Sequence, residues 1–94
     1  MTRAGISFEA AMSPGQAAEL AALMAAGRPT RPAGVLAALL EYSDGRGRLL
    51  AVWQDRETLE RYLAETPVPR GLELMRKAGV EPDRTTTFEI LEYG

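Results

Sequence analysis

Hydrophobic and polar positions keep different rhythms in different stretches of the chain. In "GISFEA", Ile6 and Phe8 alternate with Ser7 and Glu9, the period of two expected of a half-buried strand. "SPGQ" follows, with Ser13 as an N-cap, Pro14 at the first helical position and Gln16 to close a capping box. Leu20, Leu23 and Met24 then recur at helical spacing, and Gly27 with Pro29 ends that helix. "GVLAALLEYSDGRGRLLAVWQ" predicts a hairpin turning at Asp44-Gly45 in a type I′ turn. That turn pairs Glu41 with Arg48, Leu40 with Leu49, Leu39 with Leu50 and Leu36 with Trp53. A longer turn through Gly47 shifts the register.

Asp55 caps the next helix, whose stripe is Leu59, Tyr62 and Leu63. Pro67 and Pro69 interrupt it, because neither fits inside a regular helix. Leu72, Met75 and Ala78 resume a short helical stripe that Gly79 stops. "TTTFEILEY" predicts a last strand, with Phe88 and Ile90 alternating against Glu89 and Leu91. No repeat, linker or low-complexity tract divides the chain, so residues 1–94 read as a single domain. The order β-α-β-β-α-β predicts an α+β, ferredoxin-like fold, an antiparallel sheet with helices on one face.

Helices on one face leave the other to water, and a solvated face demands alternation. The outer strands alternate, but the hairpin does not. Val35, Ala37, Leu39, Leu50 and Val52 fall on one face, and Leu36, Ala38, Leu40, Tyr42, Leu49, Ala51 and Trp53 on the other. A monomer would expose a large apolar patch, so the pattern predicts two sheets packed face to face in a homodimer, a dimeric α/β barrel.

Composition narrows the chemistry. The net charge is −2, which gives no electrostatic basis for binding nucleic acid or a membrane surface. There is no Cys, His or Asn. Disulfides, thiol nucleophiles, histidine-ligated metals or haem, and Ser–His–Asp relays are therefore excluded, and neither a metal nor another cofactor is expected. No apolar run approaches the roughly 20 residues of a membrane span, and "MTRAGISFEA" lacks the apolar core of a signal peptide. A cytoplasmic protein is the expectation.

"VWQDRETLERYL" resembles the strand-to-helix junction of the dimeric α+β barrel superfamily, in proteins related to antibiotic biosynthesis monooxygenases. The matching positions are Val52, Trp53, Asp55, Glu57, Leu59 and Tyr62. "GRLLAV", "LMRKAGVEP" and "FEILEY" also resemble small actinobacterial members of that group. The group includes cofactor-independent oxygenases, haem-degrading enzymes, decarboxylases and isomerases. Its haem-binding members use a histidine ligand that is missing here. Its well-known oxygenases place Asn or His beside Trp and Tyr in the pocket, and this chain has neither.

Candidate residues follow from the parity of the strands. With Ile6 and Phe8 toward the helices, Trp53 faces the opposite side, the internal cleft of the dimer. There it either lines a pocket for a planar ligand, offering an N–H donor, or fills the core. Leu36 and Ala38 share its face. Ser7 and Glu9 face the cleft, as do Thr87, Glu89, Leu91 and Tyr93. Glu9 and Glu89 are then candidate catalytic bases, raised by desolvation, unless they lie solvated at the rim or pair with an arginine such as Arg3. Tyr62 belongs to a core stripe, and Tyr42 stands where it reaches a partner subunit. Arg28 and Arg31 in "GRPTRPAG" form either an anion-binding lip or a solvated loop.

Other proteins with this strand order fit poorly. RNA-recognition domains need aromatic rings where the third strand reads "RLLAVW". Metal chaperones of this topology need a Cys pair, and acylphosphatase-like enzymes need an Asn. Two functions survive. One is a cofactor-independent monooxygenase-like enzyme, or a related isomerase or cyclase, acting on a small aromatic or polyketide-like substrate. The other is a non-catalytic dimeric module that binds a small apolar molecule or serves assembly.

Overall fold

The computed structural model describes residues 2–93. The order is β1 (Arg3–Ala11), α1 (Pro14–Gly27), a short 3-10 turn (Arg28–Thr30), β2 (Val35–Ser43), β3 (Arg46–Trp53), α2 (Arg56–Glu65), α3 (Arg70–Lys77) and β4 (Arg84–Ile90). The four strands form one antiparallel sheet in the order β2-β3-β1-β4, the ferredoxin-like arrangement.

Local chemistry sets the element ends. The Ser13 hydroxyl accepts from the Gln16 backbone N–H, and the Gln16 side chain accepts from the Ser13 N–H, so the capping box closes reciprocally. Asp55 caps α2 by accepting from the Thr58 N–H at 2.7 Å. Residues 66–69, with two prolines, separate α2 from α3. At the hairpin turn Asp44 and Gly45 take φ values of 50° and 77°, the positive pair that a type I′ turn requires.

The hairpin register agrees with the sequence over most of its length. Glu41 is opposite Arg48 and bonded to it at 2.9 Å, with Leu40 opposite Leu49 and Leu39 opposite Leu50. The last expected pair is different: an irregularity between Val35 and Ala37 places Val35, not Leu36, opposite Trp53. The extra residue is absorbed at Leu36, as in a β-bulge, and Leu36 is left 38% exposed.

Directly opposed residues share a face of the sheet. Ala4 opposes Trp53, Ile6 opposes Ala51 and Phe8 opposes Leu49. Trp53 therefore lies on the helix side with Ile6 and Phe8, which corrects the expectation that it faces away. The hairpin is apolar on both faces, so its own pattern carried no information about which face meets the helices. Pairing with β1 decides it. The core on this side joins Ile6, Phe8, Leu49 and Trp53 to Leu20 of α1, Leu59 of α2 and Met75 of α3.

The parity of β4 is also the reverse of the expectation. Ala4 opposes Glu89 and Ile6 opposes Thr87, so Thr87 and Glu89 lie on the helix side. Gly5 opposes Phe88, and a Cβ on Gly5 would collide with the Phe88 ring. Phe88 and Ile90 thus cover the other face. β4 is an edge strand, and its helix-side residues Thr85, Thr87 and Glu89 are exposed, so its apolar residues find contacts only on the far side. The face without helices carries Leu39, Leu50, Val52, Phe88 and Ile90 around Gly5 and Ser7. At one end a row of alternating charge crosses all four strands: Glu41, Arg48, Glu9 and Arg84.

Candidate functional site

The site lies between the helices and the sheet. Its floor is made by Ile6, Phe8, Leu49 and Ala51, with Val35 and Ala38 at the β2 side. Met24 of α1, Tyr62 of α2 and Leu74 of α3 close it from above. Its mouth carries Arg28, Arg31, Pro32 and Arg70. The cavity volume is about 80 Å³. That is about half of the roughly 150 Å³ in which a closed apolar cavity holds benzene. This pocket is open at one end, so a single ring can enter with its substituents at the mouth. A fused polycycle requires the segment 28–34 to swing outward.

Trp53 forms one wall. It is 2% exposed, and its ring meets the Tyr62 ring at 4.8 Å between centroids, tilted by 39°. The indole N–H is buried with no hydrogen-bond partner among the described residues. A buried donor without an acceptor carries a desolvation cost of about 1–3 kcal/mol that a ligand oxygen can relieve. The Tyr62 hydroxyl accepts from the Arg70 backbone N–H at 2.8 Å, which leaves its own proton free to donate. Gly34 permits the close approach of the 28–34 segment to this wall. It has φ +100°, and a Cβ there would press on Thr58 and on the benzenoid edge of Trp53. The Gly34 carbonyl also accepts from the Gln54 N–H at 2.9 Å, tying the segment to the end of β3.

Arg70 pins the mouth. Its guanidinium donates to the Gly27 carbonyl at 2.9 Å, the Thr30 carbonyl at 2.9 Å and the Thr30 hydroxyl at 3.0 Å. These bonds satisfy carbonyls at the end of α1, where a cation is favourable. The pocket therefore offers donors and cations. Among the described residues no carboxylate lines it.

The residues singled out in the sequence are divided among three places. Trp53 and Ala38 line this pocket. Ser7, 2% exposed, lies on the opposite face of the sheet between Leu50 and Thr86. Leu36 sits at the β2 irregularity, outside the pocket. Tyr93 follows β4, with the Arg3 guanidinium 5.2 Å from its ring centre. Glu9 and Glu89 point to opposite faces and share no cleft. Glu9 stands 4.0 Å from Arg84 in the charged row, and Glu89 stands 3.9 Å from Arg56 with its side chain 54% exposed. Tyr42 bonds within its own chain, its hydroxyl donating to the Met12 carbonyl at 3.1 Å. Sequence reasoning missed Tyr62 and Arg70 as pocket residues. The signal for Tyr62 was its place on the inner stripe of α2 after Trp53. Arg70 gave none, because its partners are backbone carbonyls about forty residues away.

No protein-family signature matches the sequence, and no curated protein matches it. Solved structures do match its fold. A protein from Bordetella bronchiseptica, whose name provisionally makes it an antibiotic biosynthesis monooxygenase, superposes with a TM-score of 0.69 at 17% identity, over 98% of this chain and 100% of its own. A similarly named protein from Chloroflexus aurantiacus J-10-fl gives 0.65 at 18% identity, over 98% and 96%. SnoaB, a cofactor-independent oxygenase from Streptomyces nogalater, gives 0.63 at 18% identity, over 98% and 95%. The chain thus has the fold of antibiotic biosynthesis monooxygenase-like proteins, as the Trp53–Tyr62 segment suggested. Identities this low establish the fold alone.

Proposed function

We propose that this protein, which has the fold of a cofactor-independent oxygenase, takes a small aromatic or polyketide-like molecule into the pocket under its helices and oxygenates it without metal or flavin. The observation that carries the reading is the wall of the pocket: Trp53, whose buried indole N–H has no partner among the described residues, with its ring against that of Tyr62, whose hydroxyl keeps a proton to donate. Both donors suit the oxygens of an enol, phenol or ketone. Donors and a cationic mouth stabilise an enolate over its neutral form, which lowers the pKa of the substrate itself. An electron-rich enolate then reacts with O₂. At the reacting carbon a CH₂ becomes a C=O. One oxygen atom enters the product, and the other leaves as water with the two hydrogens, so no external reductant is consumed.

A second reading has one observation in its favour. With no carboxylate among the described residues that line the pocket, the proton leaves to solvent. A non-catalytic protein would hold the same ligand and return it unchanged. Incubating the purified protein with 1-phenylbutane-1,3-dione, a single-ring enolisable ketone, in air separates the two. The oxygenase reading expects uptake of one O₂ per vicinal triketone formed, faster than the uncatalysed oxidation and slowed by Trp53→Phe and Tyr62→Phe. A rate equal to the background, with the diketone bound, would leave the binding reading.

The homodimer belongs to the same proposal. A four-stranded sheet face with eight residues per strand measures about 19 by 26 Å, or roughly 500 Å². The apolar residues of that face, Leu39, Leu50, Val52, Phe88 and Ile90, form a smaller contiguous patch rimmed by polar residues, as interaction surfaces do. Leu39, 46% exposed, lies on this face midway along the edge strand β2. A second copy packing on this face covers it, with the charged row at its edge. Light scattering on the purified protein reads the mass directly, and a monomer at micromolar concentration would refute this part. Among the described residues no helix is long and apolar enough to cross a membrane.

A further inference from the structure

The arginines of the chain are distributed unevenly between partners. Of ten, six form ion pairs with carboxylates: Arg46, Arg48, Arg56, Arg61, Arg76 and Arg84. Among the described residues the other four have no acidic partner. One of these, Arg3, lies over the Tyr93 ring. The remaining three, Arg28, Arg31 and Arg70, all border the pocket under the helices. Arg70 donates only to neutral acceptors, and the guanidinium groups of Arg28 and Arg31 make no hydrogen bond among the described residues. Arg31 is also half-buried. Three like charges around one small opening repel one another unless an anion sits among them, and the pocket lining supplies none.

We infer that the ligand of this pocket is itself an anion: an aromatic or polyketide-like molecule bearing a carboxylate, held at the mouth by Arg28 and Arg31. This rests on the reading of the pocket as a site for a flat ring. The ring goes inward against Trp53 and Tyr62, and the carboxylate stays where the opening meets water. A guanidinium presents a fork of N–H donors that matches the two oxygens of a carboxylate. Arg70 acts as a positioning residue. By bonding Gly27 and Thr30 it fixes the segment that carries the other two. The arrangement selects for acid-bearing substrates and against neutral ones of the same shape.

The single Trp provides the readout, since isotope-labelled protein gives one indole N–H resonance. Its shift is followed while hydrocinnamate, or the neutral hydrocinnamyl alcohol of the same length, is added. The inference expects the acid to bind about tenfold tighter or more, the factor for a charge-assisted hydrogen bond. Added salt should erode that preference. In the Arg28→Gln/Arg31→Gln variant the preference should vanish while the affinity for the alcohol stays the same, with the backbone amide spectrum confirming the fold. If that pair disturbs the fold, Arg31→Gln alone should lose about threefold for the acid only. Equal affinities for acid and alcohol overturn the inference and leave the ring pocket standing. A preference that survives in the double variant overturns the assignment to these arginines. If neither compound moves the indole, the ring pocket itself fails and the inference with it.

Discussion

One sheet, two apolar faces and two different fates: the helix side of β1 and β3 carries Ile6, Phe8, Leu49 and Trp53, and the far side of the sheet carries Leu39, Leu50, Val52 and Phe88. On the helix side three helices bring Leu20, Leu59 and Met75 against the strands, and these residues are at most 2% exposed. The far side has no second layer within the chain. Leu39 is 46% exposed there, and Phe88 packs on Gly5 of its own sheet instead. Residues of the same kind are thus sealed on one face and unevenly covered on the other, from Val52 at 6% exposed to Leu39 at 46%. The difference lies in what covers them. It also separates the two roles assigned to the protein, a ligand pocket under the helices and an association surface opposite.

Substitutions on the two faces should therefore differ in size. Leu20→Ala empties a fully buried position and should cost about 2–5 kcal/mol in chemical denaturation, whereas Leu39→Ala should cost the monomer less than about 0.5 kcal/mol. Comparable losses at both would break the contrast. Gly5→Ala comes next. It forces the Phe88 ring off its seat, and about 1–3 kcal/mol of destabilisation is expected. A neutral outcome would mean that Phe88 is not held there. Leu39→Glu should change the stability of the single chain little and abolish the proposed assembly. Its mass by light scattering should be that of one chain, with a melting temperature independent of protein concentration. A variant that still has the mass of two chains would place the interface elsewhere.

The smallest effect is one of pH. The Thr58 backbone N–H holds the Asp55 carboxyl below the usual carboxylate range. A carboxylate lowered in the folded state adds stability above its unfolded pKa, and that contribution fades as pH falls through the folded value, below about pH 4. Asp55→Asn keeps a good N-cap without the titration. The variant should therefore lose less stability than the parent between pH 4 and pH 2 in thermal melts. Parallel curves would show that this cap does not contribute to acid unfolding.

Much of the local architecture was legible because it depends on neighbours in sequence. The capping box at Ser13 and Gln16, the Asp44-Gly45 turn, the Asp55 cap and the proline break at residues 67–69 each need only a few adjacent residues. The pocket was less legible. The sequence pointed to Trp53 and Ala38, but put them on the wrong side of the sheet, in company with Ser7, Leu36 and Tyr93. It also joined Glu9 and Glu89 in one cleft, whereas they lie on opposite faces.

Binary patterning, caps and turns by themselves determined the order of elements, the ferredoxin-like topology and the presence of two apolar faces. Only the tertiary structure decided which face each strand turns to the helices. That choice depends on pairing between strands distant in sequence, Ala4 with Trp53 and Gly5 with Phe88, and a strand apolar on both sides satisfies either choice locally. The arginine mouth was decided in the same way. Arg28 and Arg31 are a loop in the sequence, and they border a pocket because Arg70, about forty residues further on, draws that loop over the Trp53 wall.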